Sequence, residues 1–313
     1  KSIQILSLFP LDNWGGSTKI LQKFDNRWPE NITLMSYFQF LFHFCYKPFL
    51  SDLIKARGIL YQENPQRFFQ QNNIKYYLTN NRYFYSNRLS LFLQKRNIIN
   101  DIKGRIKTYF DEMIIDEVQD IAGRDFNFLE DLMNLNVDML FVGDFFQHTY
   151  DTSRDGNVNK NLFACREDYI KRFKKKGFII DASTLKNSWR CGKNVCAFVS
   201  EKLGIQITSN RNEDDDAQVS FIEDADKENE IINNDSIVKL HYNKSYMFGL
   251  HHKNWGDSKG EDCYNDVCVV LNKKTVNLYK KGKLNELETL TRNKLYVAIT
   301  RAHRNVYLIK DYK

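Results

Sequence analysis

Two adjacent carboxylates delivered by an apolar run are the first residues of this chain equipped for chemistry. They are Asp116 and Glu117 in the string Met113-Ile-Ile-Asp-Glu-Val-Gln-Asp120. A carboxylate oxygen at a strand end suits Mg²⁺, which makes Asp116 the candidate metal residue, while Glu117 can orient and deprotonate an attacking water. A strand running into a charged turn would explain Asp-Glu alone, but not the full string with Gln119 and Asp120. Twenty-one residues after Asp120 begins Phe141-Val-Gly-Asp-Phe-Phe-Gln-His-Thr-Tyr150. Gly143 permits a tight strand exit, and the Gln147 amide can sense a terminal phosphate.

These residues need elements that hold them. Apolar runs at Ile3–Phe9, 113–115, 139–142, 178–180, 219–222, 237–242, 267–271 and 306–309 end in polar residues able to do chemistry. Continuous apolar runs of this length predict strands buried on both faces, as in parallel sheets. Helical stretches, such as 126–135 and 194–203, lie between several of them. This alternation predicts a doubly wound α/β architecture with ligands beyond the carboxyl ends of the strands. Residues 45–105, rich in Tyr, Phe, Arg, Asn and Gln, interrupt the pattern and read as a mainly helical insertion. The polar cluster 210–216 reads as an exposed loop.

With 313 residues the chain can bury two cores. An apolar content of 42% argues against disorder, and no run of eighteen apolar residues predicts a membrane span. A net charge of +7 suits a nucleic-acid partner without requiring one, and 17 Tyr with 23 Phe supply faces on which bases can stack. Cys191 and Cys196, like Cys263 and Cys268, are separated by four residues, with His251 and His252 near the second pair. These gaps are wider than a zinc knuckle, and Cys268 sits in an apolar run. The cysteines therefore read as buried reduced thiols of a cytoplasmic protein.

The two strings resemble motifs II and III of the UvrD/Rep/PcrA family of superfamily 1 DNA helicases, and three more motifs follow in the family's order. Leu185-Lys-Asn-Ser-Trp-Arg190 resembles motif IV, Gly256-Asp-Ser-Lys-Gly-Glu-Asp262 motif V, and Leu295-Tyr-Val-Ala-Ile-Thr-Arg-Ala302 motif VI. The resemblance implies two RecA-like parallel-sheet domains, 1–180 and 181–313, with the helical insertion in the first. It implies ATP and Mg²⁺ as cofactors, and single-stranded or partly duplex DNA as partner, tracked 3′ to 5′. Arg190 and Arg301 would reach the γ-phosphate as arginine fingers, joining Glu117 and Gln147 as catalytic residues. Trp189, in place of the family's Tyr, would stack on adenine. Gly260 and Asp262, or Glu261 in a register shifted by one, would lie near the ribose. Tyr150, Ser258 and Lys259 would contact DNA.

The chain departs from the family in one large respect. No Gly-rich loop ending Gly-Lys-Ser/Thr occurs; in Gly15-Gly-Ser-Thr-Lys19 the Lys follows the hydroxyls instead of preceding them. Because that loop precedes the first strand in the family, the expectation is that it lies upstream of Lys1. Its supply by a partner chain is the second option, and its true absence the third. Smaller departures affect base stacking. Motif Ia is faint at 9–13, and Ile32-Thr-Leu-Met-Ser-Tyr-Phe38 resembles motif Ib without its His. Thr152 replaces an aromatic residue, and Asn254 and Gly256 replace the Thr and His of motif V. Tyr150, Phe145, Phe146 or Tyr83-Phe-Tyr85 are candidate substitutes for the stacking ring. About 65 residues separate motifs IV and V, too few for the large 2B insertion. The expectation is a compact ATP-dependent translocase or helicase, working alone or with a nuclease or other protein. The alternative is a helicase-fold regulatory subunit that does not hydrolyse ATP, as in a repair or antiphage complex.

Overall fold

The computed structural model describes residues 3–9, 27, 29–62, 69–211 and 216–312. Most of the faint 9–13 stretch and the Gly15–Lys19 run lie outside these residues. The chain forms two compact units, one of Lys1–Phe145 with Tyr150–Phe178, the other of Phe146–Thr149 with Ile179–Lys313. The architecture is mixed α/β, and the named strands pair only in parallel.

The first unit contains β1 (Ile5–Phe9), β2 (Ile32–Ser36), β3 (Gly58–Leu60), β4 (Tyr83–Tyr85), β5 (Glu112–Ile115) and β6 (Asp138–Phe141). Four of these make one sheet in the order β2-β1-β5-β6, with Leu8 opposite Met35 on one side and Ile115 on the other. Its helices are α1 (Tyr37–Gln39), α2 (Lys47–Ile54), α3 (Ser86–Lys95), α4 (Ile99–Tyr109), α5 (Gly123–Leu132) and α6 (Arg166–Lys174). Ser36 ends β2 and starts α1 through a capping box, its Oγ accepting from Gln39 N while Gln39 Oε1 accepts from Ser36 N. A π-helical segment, Phe40–Tyr46, carries α1 into α2, whose first turn holds Pro48 and whose end is the left-handed Lys55. Leu6, Leu8, Met113 and Ile115 on the strands, and Phe40, Leu41, Phe126 and Leu129 on the helical segments, are all fully buried, at 1% exposure or less. Along β1 and β5 buried residues alternate with partly buried ones, Ser7 and Ile114 among them, so one face of these strands is more fully covered than the other.

Two sequence expectations change here. Among the described residues β6 pairs only with β5 and forms the sheet edge, and Leu140 is half exposed instead of buried. Residues 178–180 form no strand. Phe178 N bonds back to Phe173 O and its ring stacks on Phe141, while Ile179 is exposed, so one ring closes the end of α6.

The stretch 45–105 is mainly helical, but the β3–β4 pair and a 3₁₀ turn at Ile74–Tyr76 interrupt it. Its aromatic residues divide between core and surface, with Tyr46, Tyr77, Phe84 and Phe92 buried and Tyr61 and Tyr83 exposed. Phe84 is fully buried, with ring centroids 4.9 Å from Tyr46 and 5.0 Å from Phe92.

The second unit contains β7 (Asn187–Ser188) paired with β8 (Thr208–Ser209), then β9 (Val219–Phe221), β10 (Val238–His241), β11 (His252–Asn254), β12 (Val267–Leu271) and β13 (Val306–Lys310). Its sheet runs β11-β10-β12-β13-β9, and its helices are α7 (Lys193–Phe198), α8 (Ala225–Asn233), α9 (Lys273–Lys280) and α10 (Thr289–Ile299). The central strand β12 shows how the sheet is held. Val267, Val269 and Leu271 enter a cluster with Val195, Leu240, Trp255, Leu295 and Leu308, whereas Cys268 and Val270 enter the opposite cluster with Ile222, Ile231 and Ile309. A period of two places alternate side chains in two cores.

Candidate functional site

In the first unit the chemistry gathers at the carboxyl end of β5. Asp116 N bonds to Leu8 O at 2.9 Å, which ties the exit from β5 to its neighbour β1. Asp116 Oδ1 then accepts from Glu117 N at 2.8 Å. Glu117 is left-handed, at φ 51 and ψ 40, so the chain turns sharply and Val118 N reaches Val142 O at 3.0 Å. The Glu117 carboxylate is held from behind, since Gln119 Nε2 donates to its Oε2. Gln119 is itself 1% exposed, and its packing fixes the role of Gly143. A Cβ there would lie 2.2 Å from Gln119 Oε1 and 3.1 Å from Val118 Cγ1. Asp120 is equally buried, and Thr152 N donates to its carbonyl at 3.2 Å. Sequence reasoning included Gln119 and Gly143 in the strings but did not see that one seats the other. The signal was a glycine at a strand exit whose packing partner lies 24 positions upstream. Tyr150 belongs to the same unit and is half exposed. Phe145 packs among the rings of Phe163 and Tyr169.

Beneath this turn Asp125, on α5, is fully buried. Burial pushes its carboxyl up to about 7, while the hydroxyls of Ser90, Thr152 and Tyr37 draw it part of the way back. None of the three closes to a standard hydrogen bond.

In the second unit, residues from three distant strings line one cavity of about 250 Å³: Ser188, Trp189, Arg190, Asp262 and His303. Trp189 offers its indole face at 79% exposure. Arg190 Nε donates to Asp262 Oδ1 at 2.5 Å and its Nη1 to Thr300 O at 3.2 Å, which orients the guanidinium plane. His303 Nε2 lies 2.9 Å from the same Asp262 oxygen. Partial burial raises the Asp262 carboxyl, but the Arg190 hydrogen bond and charge, aided by His303, outweigh it and leave the group below its usual range. Arg211 ties the cavity walls together, with Nη1 donating to Arg190 O at 2.9 Å and also to His303 O. Ser188 supports the turn from below, accepting at Oγ from Arg190 N and Cys191 N. His303 and Arg211 were missed in the sequence because their partners lie tens of residues away and no local pattern marks them; Ser188, inside the quoted string 185–190, was given no role of its own.

The other expected residues fall as follows. Asp262, not Glu261, faces the cavity, since Glu261 pairs with Lys253 and accepts from Tyr264 Oη. Gly260 takes φ +78, a conformation that favours glycine. Ser258 is fully buried and its Oγ donates to Trp255 O at 2.8 Å, which ties this hydroxyl to the turn. The adjacent Lys259 is partly exposed. Arg301 is 2% exposed, its Nε donating to Val297 O and its Nη1 to Glu261 O, both at 3.2 Å. It is buried in the second unit instead of projecting from its surface. Gln147 belongs to the short segment that clusters with the second unit, where His148 O accepts from Asn293 Nδ2 at 3.1 Å and Phe146 lies under the Arg292 guanidinium.

Among the described residues no group of three or more His, Cys, Asp or Glu could hold a metal ion. Among the described residues no helix is long and apolar enough to cross a membrane. No protein-family model matches the chain, and no curated protein matches it.

Proposed function

We propose that the chain is the motor part of an ATP-dependent DNA translocase or helicase of the UvrD/Rep/PcrA type, its two units being RecA-like domains. One observation carries this reading: an exposed indole, a guanidinium and a carboxylate, from sequence positions 189, 190 and 262, share one cavity. That combination suits a nucleotide, with its flat base, ribose hydroxyls and anionic phosphates. An indole stacks on a base, and a guanidinium fork matches phosphate oxygens. At the other acid-bearing turn, Asp116 would hold Mg²⁺, which supplies charge neutralisation on the phosphates. Glu117, positioned by Gln119, accepts the proton of the attacking water. Arg190 and Arg301 stabilise charge that develops on the transferred phosphoryl group, with Gln147 reporting its presence. Tyr150 and Lys259 contact single-stranded DNA, and alternating grip through the cycle moves the chain 3′ to 5′.

The reading requires a phosphate-cradling loop, and the pattern ending Gly-Lys-Ser/Thr does not occur within the 313 residues. The reading therefore depends on a loop that these 313 residues do not contain. The same fact favours a second reading, a helicase-fold subunit that binds nucleotide or DNA without hydrolysis, as in a repair or antiphage assembly. ATP hydrolysis by the protein with and without single-stranded DNA separates the two. DNA-stimulated turnover that is lost in Glu117→Gln supports the motor. Nucleotide binding without any turnover supports the regulatory subunit.

A further inference from the structure

His303 has no role in the chemistry above, yet it is among the most constrained residues of the second unit's cavity. Its backbone is held on both sides. The N–H donates to Tyr264 O at 2.9 Å, and the carbonyl accepts from Arg211 Nη1. The preceding residue, Ala302, bridges to Tyr264. The ring is thereby delivered to Asp262, with Nε2 at 2.9 Å from Oδ1. A carboxylate oxygen can only accept, so Nε2 carries the proton in this contact.

The same oxygen takes Arg190 Nε, so one carboxylate atom joins an imidazole and a guanidinium. With Nε and Nη1 both engaged, the Arg190 plane is fixed, and Nη2 has no partner among the described residues. A second donor on Asp262 also spreads the carboxylate's charge, which lessens its repulsion of an incoming phosphate. Asp262 is half exposed, so without His303 only Arg190 would restrain it.

We propose that His303 is a positioning residue of this cavity. It anchors Asp262, and through Asp262 it fixes the Arg190 guanidinium so that Nη2 faces a phosphate-bearing nucleotide. The assignment rests on the nucleotide reading of the site.

The test is binding of ADP, followed by isothermal titration calorimetry, to the wild type and to Trp189→Ala, His303→Ala and His303→Gln. A Gln amide can donate from near the position of Nε2 without an imidazole. Losing a hydrogen bond to a charged group should weaken binding about tenfold in His303→Ala. His303→Gln should recover most of that loss, and thermal unfolding of all variants should match the wild type. If Trp189→Ala weakens binding while His303→Ala does not, the positioning role falls and the nucleotide site stands. If His303→Gln binds as weakly as His303→Ala, donation from this position is refuted. If the wild type binds no ADP, or Trp189→Ala binds it unchanged, the nucleotide reading fails and takes the assignment with it.

Discussion

Glu117 takes a backbone conformation uncommon for a side chain of its kind, and its carboxylate leans on Gln119. Residues in such positions persist where the surroundings hold them, and Gly143 is the part of those surroundings most easily changed. Gly143→Ala would drive Gln119 off its seat, so turnover should fall roughly 10²-fold, within the range expected for a misplaced general base, with nucleotide affinity little altered. Steady-state kinetics beside a binding titration would show this; unchanged turnover would mean that Gln119 does not position Glu117. Asp125 makes a different prediction, one about stability. Its folded pKa of about 7 lies above its unfolded value, so the folded state retains a proton that the unfolded state releases. Stability is therefore unaffected by this group at low pH and falls as pH rises from about 4 to about 7. The cost approaches roughly 4 kcal/mol above that range. Asp125→Asn should remove that slope and leave a protein more stable than the wild type at pH 8, as read by urea unfolding across pH. Parallel curves for the two proteins would contradict it. At this scale the sequence displayed the acid pair and the aromatic–arginine pair, because each is contiguous. It concealed His303, Arg211 and the burial of Ser258 and Arg301, because those depend on strands meeting far along the chain.

Elements were legible where composition and period agreed. β12 is apolar at all five positions, and both of its faces are covered. The runs at 113–115, 237–242 and 306–309 likewise contain strands. The same rule failed at 178–180, where only the Phe178 ring packs at a helix end and Ile179 is exposed, and it overstated β6. An apolar run reports affinity for a core without saying which neighbours supply that core. The energetic consequence can be measured. Leu240 on β10 is fully buried, so Leu240→Ala should cost roughly 2–5 kcal/mol. Loss of the Ser36 cap in Ser36→Ala should cost only about 1 kcal/mol. Chemical denaturation of both variants tests the ranking; equal losses would show that the β10 contacts are looser than the structure implies.

For the whole molecule, the parallel sheets and the division into two compact units set the frame, and neither specifies a reaction. Function rests on what the strand ends carry. The acid pair lies at the end of β5 in one unit, and the indole, guanidinium and carboxylate share a cavity in the other. The sequence order of these strings was legible throughout, whereas the spatial convergence of 189, 190, 262 and 303 had to be seen in the fold. The most direct test of the motor reading is ATP hydrolysis by the protein in the presence of single-stranded DNA, comparing the wild type with Glu117→Gln. The account predicts turnover that rises with DNA and falls at least about 10²-fold in the variant, while ADP binding persists. DNA-stimulated turnover that survives Glu117→Gln undiminished would contradict it.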